Sequence, residues 1–438
     1  MPSVNARPPL LGFWMCVALV VGNSIGSGVF LLPSALAPYG LNSLLAWAFT
    51  AIGALVLALV FSQLSRAHPQ AGGPYAYTLL AFGPFTAFIV AWGYWVSIWV
   101  GNAAIATGAV SYLSPLLPWI ATVPGASAAV TLFFLWALTF VNWYGIRASG
   151  WVQTVTTVLK VMPLLAIALL GLLVVRAHHV AAAAVVPLSV SGTTAAATLT
   201  LWALLGLESA TIPASKVRDP SRTIPRATLA GTLITALICI VACSSVILLV
   251  PPATLAQSNA PFVDVAQNFW GAAAGKWLAV FAAISAFGAL NGWILLQGEL
   301  PNVMAKGGVF PAAFAQDSAR QTPTFALVFS SGLVTLLILM NYQKSMVSIF
   351  TFMILLSTTA CLVMYGLCSL ALLRLTWTGQ MGKAHMRTGI LSAAGVFAAL
   401  FSLWAIIGAG ADAVAWGGAL LLTGVPIYFL ARRKRKVH

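Results

Sequence analysis

The sequence predicts an all-α membrane protein of twelve transmembrane helices, one domain over residues 1–438, with its first and sixth helices interrupted. Three observations predict this. Hydrophobic residues make up 61% of the chain and charged residues 6%, against about 45–50% and about 25% in soluble domains. Twelve apolar runs approach or exceed the ~20 residues that cross a bilayer as a helix. Lys and Arg fall almost entirely on alternate connections. So few charges cannot cover a soluble surface of this size, which excludes a soluble enzyme, a nucleic-acid binder and a disordered protein.

In chain order the spans are 10–36, 43–64, 84–113, 122–144, 153–175, 195–213, 226–250, 276–299, 324–341, 348–373, 389–410 and 413–431. None alternates in polarity as a barrel strand would. With the N-terminus placed in the cytoplasm, 17 of the 21 basic residues are cytoplasmic. They include Arg66, Arg147, Lys216, Arg218, Arg222, Arg226 and the run Arg432, Arg433, Lys434, Arg435 and Lys436. Only Arg176, Lys276 and Lys344 fall outside, and Lys160 lies within a span. That asymmetry is the positive-inside rule, so both termini are expected in the cytoplasm of a multi-pass inner-membrane protein. The formal charge of +15 is then mostly an orientation signal, with the basic tail able to touch anionic lipid. No cleavable signal peptide is expected, since the first apolar run continues past Gly28 without an early small-residue cleavage site. The five cysteines all lie in spans, at spacings that suit packing rather than zinc or disulfides.

In the first span, Val21-Gly22-Asn23-Ser24-Ile25-Gly26-Ser27-Gly28 places three glycines within seven residues. Each costs a helix roughly 1 kcal/mol, and unwound backbone at membrane depth survives only where it lines a cavity or is buried in protein. Leu205-Gly206-Leu207-Glu208-Ser209 forms a second break in the sixth span. These spans open two successive sets of five helices, about 10–175 and 195–373, with the last two helices at about 389–431. Matching interruptions in two halves are the sequence mark of a secondary transporter's binding site, where half-helix N-termini offer N–H groups to a carboxylate.

Few polar side chains lie at depth. Glu208 is the one carboxylate deep in a span, and such a group marks a functional site by default: a candidate proton carrier or cation partner. Lys160 sits about seven residues, roughly 10 Å, into the fifth span. It either snorkels to the cytoplasmic surface or supplies a fixed or titratable cation where a sodium-coupled relative would hold Na⁺. Trp202 precedes the second break. Tyr94 and Trp95 open a polar stripe with Ser97 and Asn102, and Trp293 follows Asn291-Gly292. Aromatic faces in a cavity bind organic cations at about 1–2 kcal/mol.

These segments resemble a known family. Gly26-Ser27-Gly28-Val29-Phe30-Leu31-Leu32-Pro33 is similar to the first-helix signature of the amino acid–polyamine–organocation transporters. Ala71-Gly72-Gly73-Pro74-Tyr75, the stretch from Leu201 to Ala210, Asp219-Pro220-Ser221-Arg222-Thr223-Ile224-Pro225 and Gly292-Trp293 match further. The resemblance covers nearly the whole chain and is closest to the basic amino acid/polyamine antiporters of the arginine/agmatine type. It implies a leucine-transporter-like fold of two inverted five-helix repeats plus two helices, and a homodimer through the last two. By the same resemblance, Ser24, Ser27 and Gly28 would hold the substrate carboxylate, and backbone at Ala203 and Leu205 its amine. Trp293 would stack on a guanidinium, and Asn102, Ser97 and Ser357 would meet the distal end. Trp202 would be a middle gate, Tyr94 and Glu208 an outer gate, and Tyr75 a pH-responsive tyrosine. Two residues depart from the arginine/agmatine pattern. Ser24 replaces an apolar residue, and Lys160 matches the lysine of proton-coupled and exchange-type amino acid permeases.

The expected activity is secondary active transport by alternating access, with arginine and agmatine exchanged. The other reading is a proton-coupled symporter or exchanger of neutral or broad-range amino acids using Lys160. No cofactor or metal is expected, and the partners are the small-molecule amino acid or amine and the bilayer. The five histidines avoid the spans, which leaves a membrane enzyme without a His-based site. No phosphate-binding loop is present to drive transport with ATP.

Overall fold

The computed structural model describes residues 11–435 except 71, 145, 178–185, 213, 215–216, 319–321 and 383–385; the side chains of 27–28, 146–154, 158, 174–177 and 432–435 are also outside the described set. The described residues are helical almost throughout. Eleven helices among them are long and apolar enough to cross a membrane: Phe13–Tyr39, Asn42–Ala67, Pro84–Ser111, Ala126–Tyr144, Val155–Leu173, Pro220–Leu249, Ala272–Lys306, Thr324–Asn341, Met346–Trp377, Thr388–Gly408 and Ala411–Ala431. The remaining expected span, 195–213, is the interrupted sixth. Its continuous helix, Val190–Trp202, has only 13 residues. Helices dominate because backbone N–H and C=O groups facing hydrocarbon must be paired within their own segment.

Both expected interruptions are present. The first span is helical over Phe13–Ser24, turns extended at Gly26, and resumes as Ser27–Leu36. The sixth unwinds after Trp202 and re-forms a short 3₁₀ turn at Ser209–Thr211. Gly206 adopts φ +101 within this break, a conformation side chains rarely take. A Cβ there would also come within 3.3 Å of Asn23 and Ser24, so the two breaks pack directly on each other at this glycine.

The third span, Pro84–Ser111, forms the centre, buried along nearly its whole length. The eighth and tenth spans and the second half of the first pack around it. Leu169, Leu172, Leu339, Met340, Leu400 and Ile407 project outward, as a lipid-facing surface requires. The five cysteines are free and buried, in keeping with packing.

The two ends of the bundle are closed differently. At one end, Arg218 N–H donates to Leu11 C=O at 2.9 Å, tying the segment before the first span to the connection after the sixth. Gly72 N–H donates to Ile212 C=O at 3.2 Å at that same end. At the other, two short helices between the seventh and eighth spans, Pro252–Gln257 and Pro261–Trp270, rest on the second half of the first span. Ser34 Oγ donates to Ser258 C=O at 2.8 Å, and the Phe262 ring meets Phe30 edge-on at 5.5 Å.

Candidate functional site

A narrow cavity lies between the two breaks. Ser24, Ser97, Trp202, Leu205, Trp293 and Ser357 line it, so six of the residues singled out from sequence come together. Asn23, Gly26, Gly101 and Cys361 complete much of its wall.

Asn23 ties the first break to the elements around it. Its side-chain amide donates to Ser209 Oγ at 3.0 Å, linking the first and sixth spans. Its carbonyl, in the last turn before the break, accepts from the Trp293 indole at 3.0 Å. That bond orients the Trp293 ring across the cavity. Trp202 lies against Gly101, where a Cβ would come within 2.9 Å of the indole, so a glycine is needed for the ring to approach the third span. Ser97 and Ser357 form a pair at 3.1 Å, with Ser357 also donating to Ser97 C=O at 2.7 Å.

Ser27 and Gly28 open the second half-helix of the first span; the Ser27 side chain lies outside the described residues. Their backbone belongs to the first turn, where a helix leaves N–H groups without intrahelical acceptors. Across the cavity, the N–H groups of Ala203, Leu204 and Leu205 fold back onto Thr200, Leu201 and Trp202 at 2.9–3.2 Å. The carbonyls of Ala203 to Leu205 are thus the first that lie beyond the sixth span's helical ladder.

Lys160 does not snorkel. It is fully buried, and its ammonium donates to the carbonyls of Gly22 at 2.6 Å and Ile25 at 3.0 Å. These carbonyls lose regular helical partners at the break. The lysine reaches inward because a buried ammonium is tolerated only with such acceptors.

Glu208 is fully buried within the second break and clamped between two phenols. Tyr94 donates to Oε1 at 2.7 Å and Tyr365 to Oε2 at 2.6 Å. The cluster joins the sixth span to the third and the tenth. It lies on the part of the sixth span that leads to residues 217–218, at the end shared with Leu11, and is therefore at the N-terminal side. Tyr75 lies at this end too, its hydroxyl close to Gly307 and away from the cavity. Asn102 is fully buried and donates to Gln297 Oε1 at 2.8 Å, beside the cavity rather than on its wall.

Sequence reasoning missed Tyr365, Gln297 and Cys361. The signal for two of them was present: Ser357, Cys361 and Tyr365 follow at i, i+4 and i+8, one face of the tenth span. Gln297 likewise falls one turn after Trp293. Among the described residues no cluster of His, Cys, Asp or Glu could hold a metal ion.

A helical bundle whose two broken spans enclose a buried, largely neutral polar cavity defines a membrane transport protein. Its sequence matches the amino acid permease family model over residues 11–430, and the chain belongs to that family, within the amino acid–polyamine–organocation superfamily. Its members are transporters, not enzymes, and the protein is a multi-pass membrane protein. It is 30% identical over 434 residues to the putrescine transporter PotE of Haemophilus influenzae, covering 97% of this chain and 98% of that one. It is 31% identical to a putative arginine/ornithine antiporter of Bacillus subtilis, again over 97% and 98% of the two chains. A cadaverine/lysine antiporter of Escherichia coli is 32% identical over 76% of each.

Proposed function

We propose that the protein exchanges a cationic amino acid for an amine by alternating access, with arginine and agmatine as the favoured pair. The observation that carries this reading is the cavity between the breaks, where Trp202 and Trp293 face Ser97, Ser357 and Leu205. The half-helix starting at Ser27 would receive the substrate carboxylate, and the carbonyls of Ala203 and Leu205 its α-ammonium. Trp293 would stack on the distal cation, with Ser97, Ser357 and Asn102 at its end. Relatives named for putrescine, cadaverine/lysine and arginine/ornithine favour cationic substrates of this length. Agmatine carries no carboxylate and would rely on the aromatic and amide contacts alone. Spans one to five and six to ten would act as inverted repeats, and the last two spans would join two copies.

One observation favours a second reading, proton-coupled movement of neutral or broad-range amino acids. Lys160 holds both ends of the first break, so loss of its proton would weaken a contact on which the binding geometry depends. Counterflow of labelled arginine in proteoliposomes, against a panel of amino acids and amines at two pH values, separates the two. Arginine uptake driven by internal agmatine without a proton gradient supports exchange. Uptake of neutral amino acids that requires an inward proton gradient and is lost in Lys160→Ala supports the second reading and overturns the first.

A further inference from the structure

Beside Trp293 a chain of buried hydrogen bonds crosses four spans, and its direction is fixed from one end. The backbone carbonyl of Leu135 can only accept. Thr139 donates to it at 2.8 Å. That uses the only hydroxyl proton of Thr139, so in the 2.8 Å contact between Thr139 and Ser331 the donor is Ser331. The Ser331 proton is then also used. At 2.9 Å from Gln297 the Ser331 hydroxyl therefore accepts, and the Gln297 NH₂ donates. Gln297 must turn its carbonyl Oε1 to Asn102, which donates its NH₂ at 2.8 Å. The chain ends at Asn102 Oδ1, an acceptor that is buried with no hydrogen-bond partner among the described residues. Thr139, Ser331, Gln297 and Asn102 are all buried, so water does not blur the polarity.

The end of this relay adjoins the cavity. Asn102 is buried beside the cavity wall, directly after Gly101, which lines it, and Gln297 lies one turn beyond Trp293 on the eighth span. We propose that Gln297, anchored through Ser331 and Thr139, is a positioning residue that holds Asn102 with its carbonyl, not its NH₂, available to the distal end of the substrate. The site thereby prefers a hydrogen-bond-donating cationic end over an apolar one. This rests on the cavity being the substrate site as proposed above. Without the anchor the two amide orientations become nearly equivalent, and the wrong one points N–H dipoles at a cation.

The test compares wild type, Gln297→Leu, Ser331→Ala and Ser331→Thr, each purified as a monodisperse protein and reconstituted. The readout is the ratio of kcat/KM for arginine to the inhibition constant-derived affinity for leucine, a neutral competitor. A hydrogen bond to a charged group sets the expected loss at about tenfold to a hundredfold. Gln297→Leu and Ser331→Ala should lower the ratio by that amount, mainly through a raised KM for arginine. Ser331→Thr keeps the hydroxyl and should retain the wild-type ratio. An unchanged ratio in Gln297→Leu or Ser331→Ala overturns the relay, as does an equal loss for arginine and leucine or a lost ratio in Ser331→Thr. Wild-type protein that moves neither arginine nor amines overturns the functional reading itself.

Discussion

Removing a single phenol hydroxyl from the Glu208 clamp should open the cavity to the N-terminal side. In the structure both carboxylate oxygens are engaged, Oε1 by Tyr94 and Oε2 by Tyr365. Tyr365→Phe removes the 2.6 Å contact with almost no change in volume. A hydrogen bond to a charged group contributes about 1.5–3 kcal/mol, and its loss leaves a buried acceptor unpaired. The contact spans the sixth and tenth helices, so it stabilises only the conformation in which they meet. Taking about 2 kcal/mol, the closed state loses roughly thirtyfold in population relative to the open one. Cys361, which lines the cavity one turn before Tyr365, provides a reporter. With Cys16, Cys239, Cys243 and Cys368 replaced by Ala, a membrane-impermeant maleimide applied from the N-terminal side should label Cys361 about thirtyfold faster in Tyr365→Phe than in its parent. From the opposite side the rate should not rise. An unchanged rate, or an equal rise from both sides, would refute the clamp as a one-sided gate.

Three other outcomes are expected. Gly206→Ala combines φ +101 with a Cβ 3.3 Å from Asn23 and Ser24; it should lower stability by about 1–3 kcal/mol, read as a reduced melting temperature, and abolish transport. Lys160→Met keeps the length of the side chain but loses both donors to Gly22 and Ile25; substrate affinity should drop at every pH and any pH dependence of transport should flatten, measured by uptake at two pH values. Asp264, in the connection between the seventh and eighth spans, has its carboxyl pushed above the usual carboxylate range by burial, partly offset by the Ser258 hydroxyl that donates to it. A raised folded-state pKa means stability that is full below the unfolded carboxylate value and lost as pH rises through the folded one. The melting temperature should therefore fall from acid toward neutral pH, and Asp264→Asn should remove that component.

The sequence exposed the features that have no soluble counterpart. Twelve apolar runs and two glycine-bearing breaks could be read directly, because backbone in hydrocarbon has few alternatives to a continuous helix. Glu208 and Lys160 stood out because charge at depth is rare. Their partners were harder to read. The choice of Lys160 between the surface and the first break depends on where the unpaired carbonyls of Gly22 and Ile25 lie, which is a tertiary fact. Tyr365 and Gln297 are ordinary residues in apolar helices, and what singles them out is a partner 157 or 195 positions away. The end of the bundle at which the Glu208 cluster lies followed from the pairing of Leu11 with Val217 rather than from the cluster's own residues.

The scarcity of charge also shapes how the two breaks can work together. A strong ion pair at the cavity would hold one conformation too firmly for alternating access, since breaking a buried pair costs about 3–5 kcal/mol. Here the two buried ionisable side chains are kept apart in role and partner. Lys160 binds the carbonyls of the first break, whereas Glu208, in the second, binds phenols of the third and tenth spans. The direct link between the breaks is neutral, Asn23 to Ser209, backed by the indole of Trp293 on the Asn23 carbonyl. Neutral hydrogen bonds contribute about 1 kcal/mol each, comparable to what a bound substrate can supply through one aromatic or amide contact. A substrate that binds both half-helices can therefore shift the balance between conformations, as a ligand does only through its differential contacts with each state.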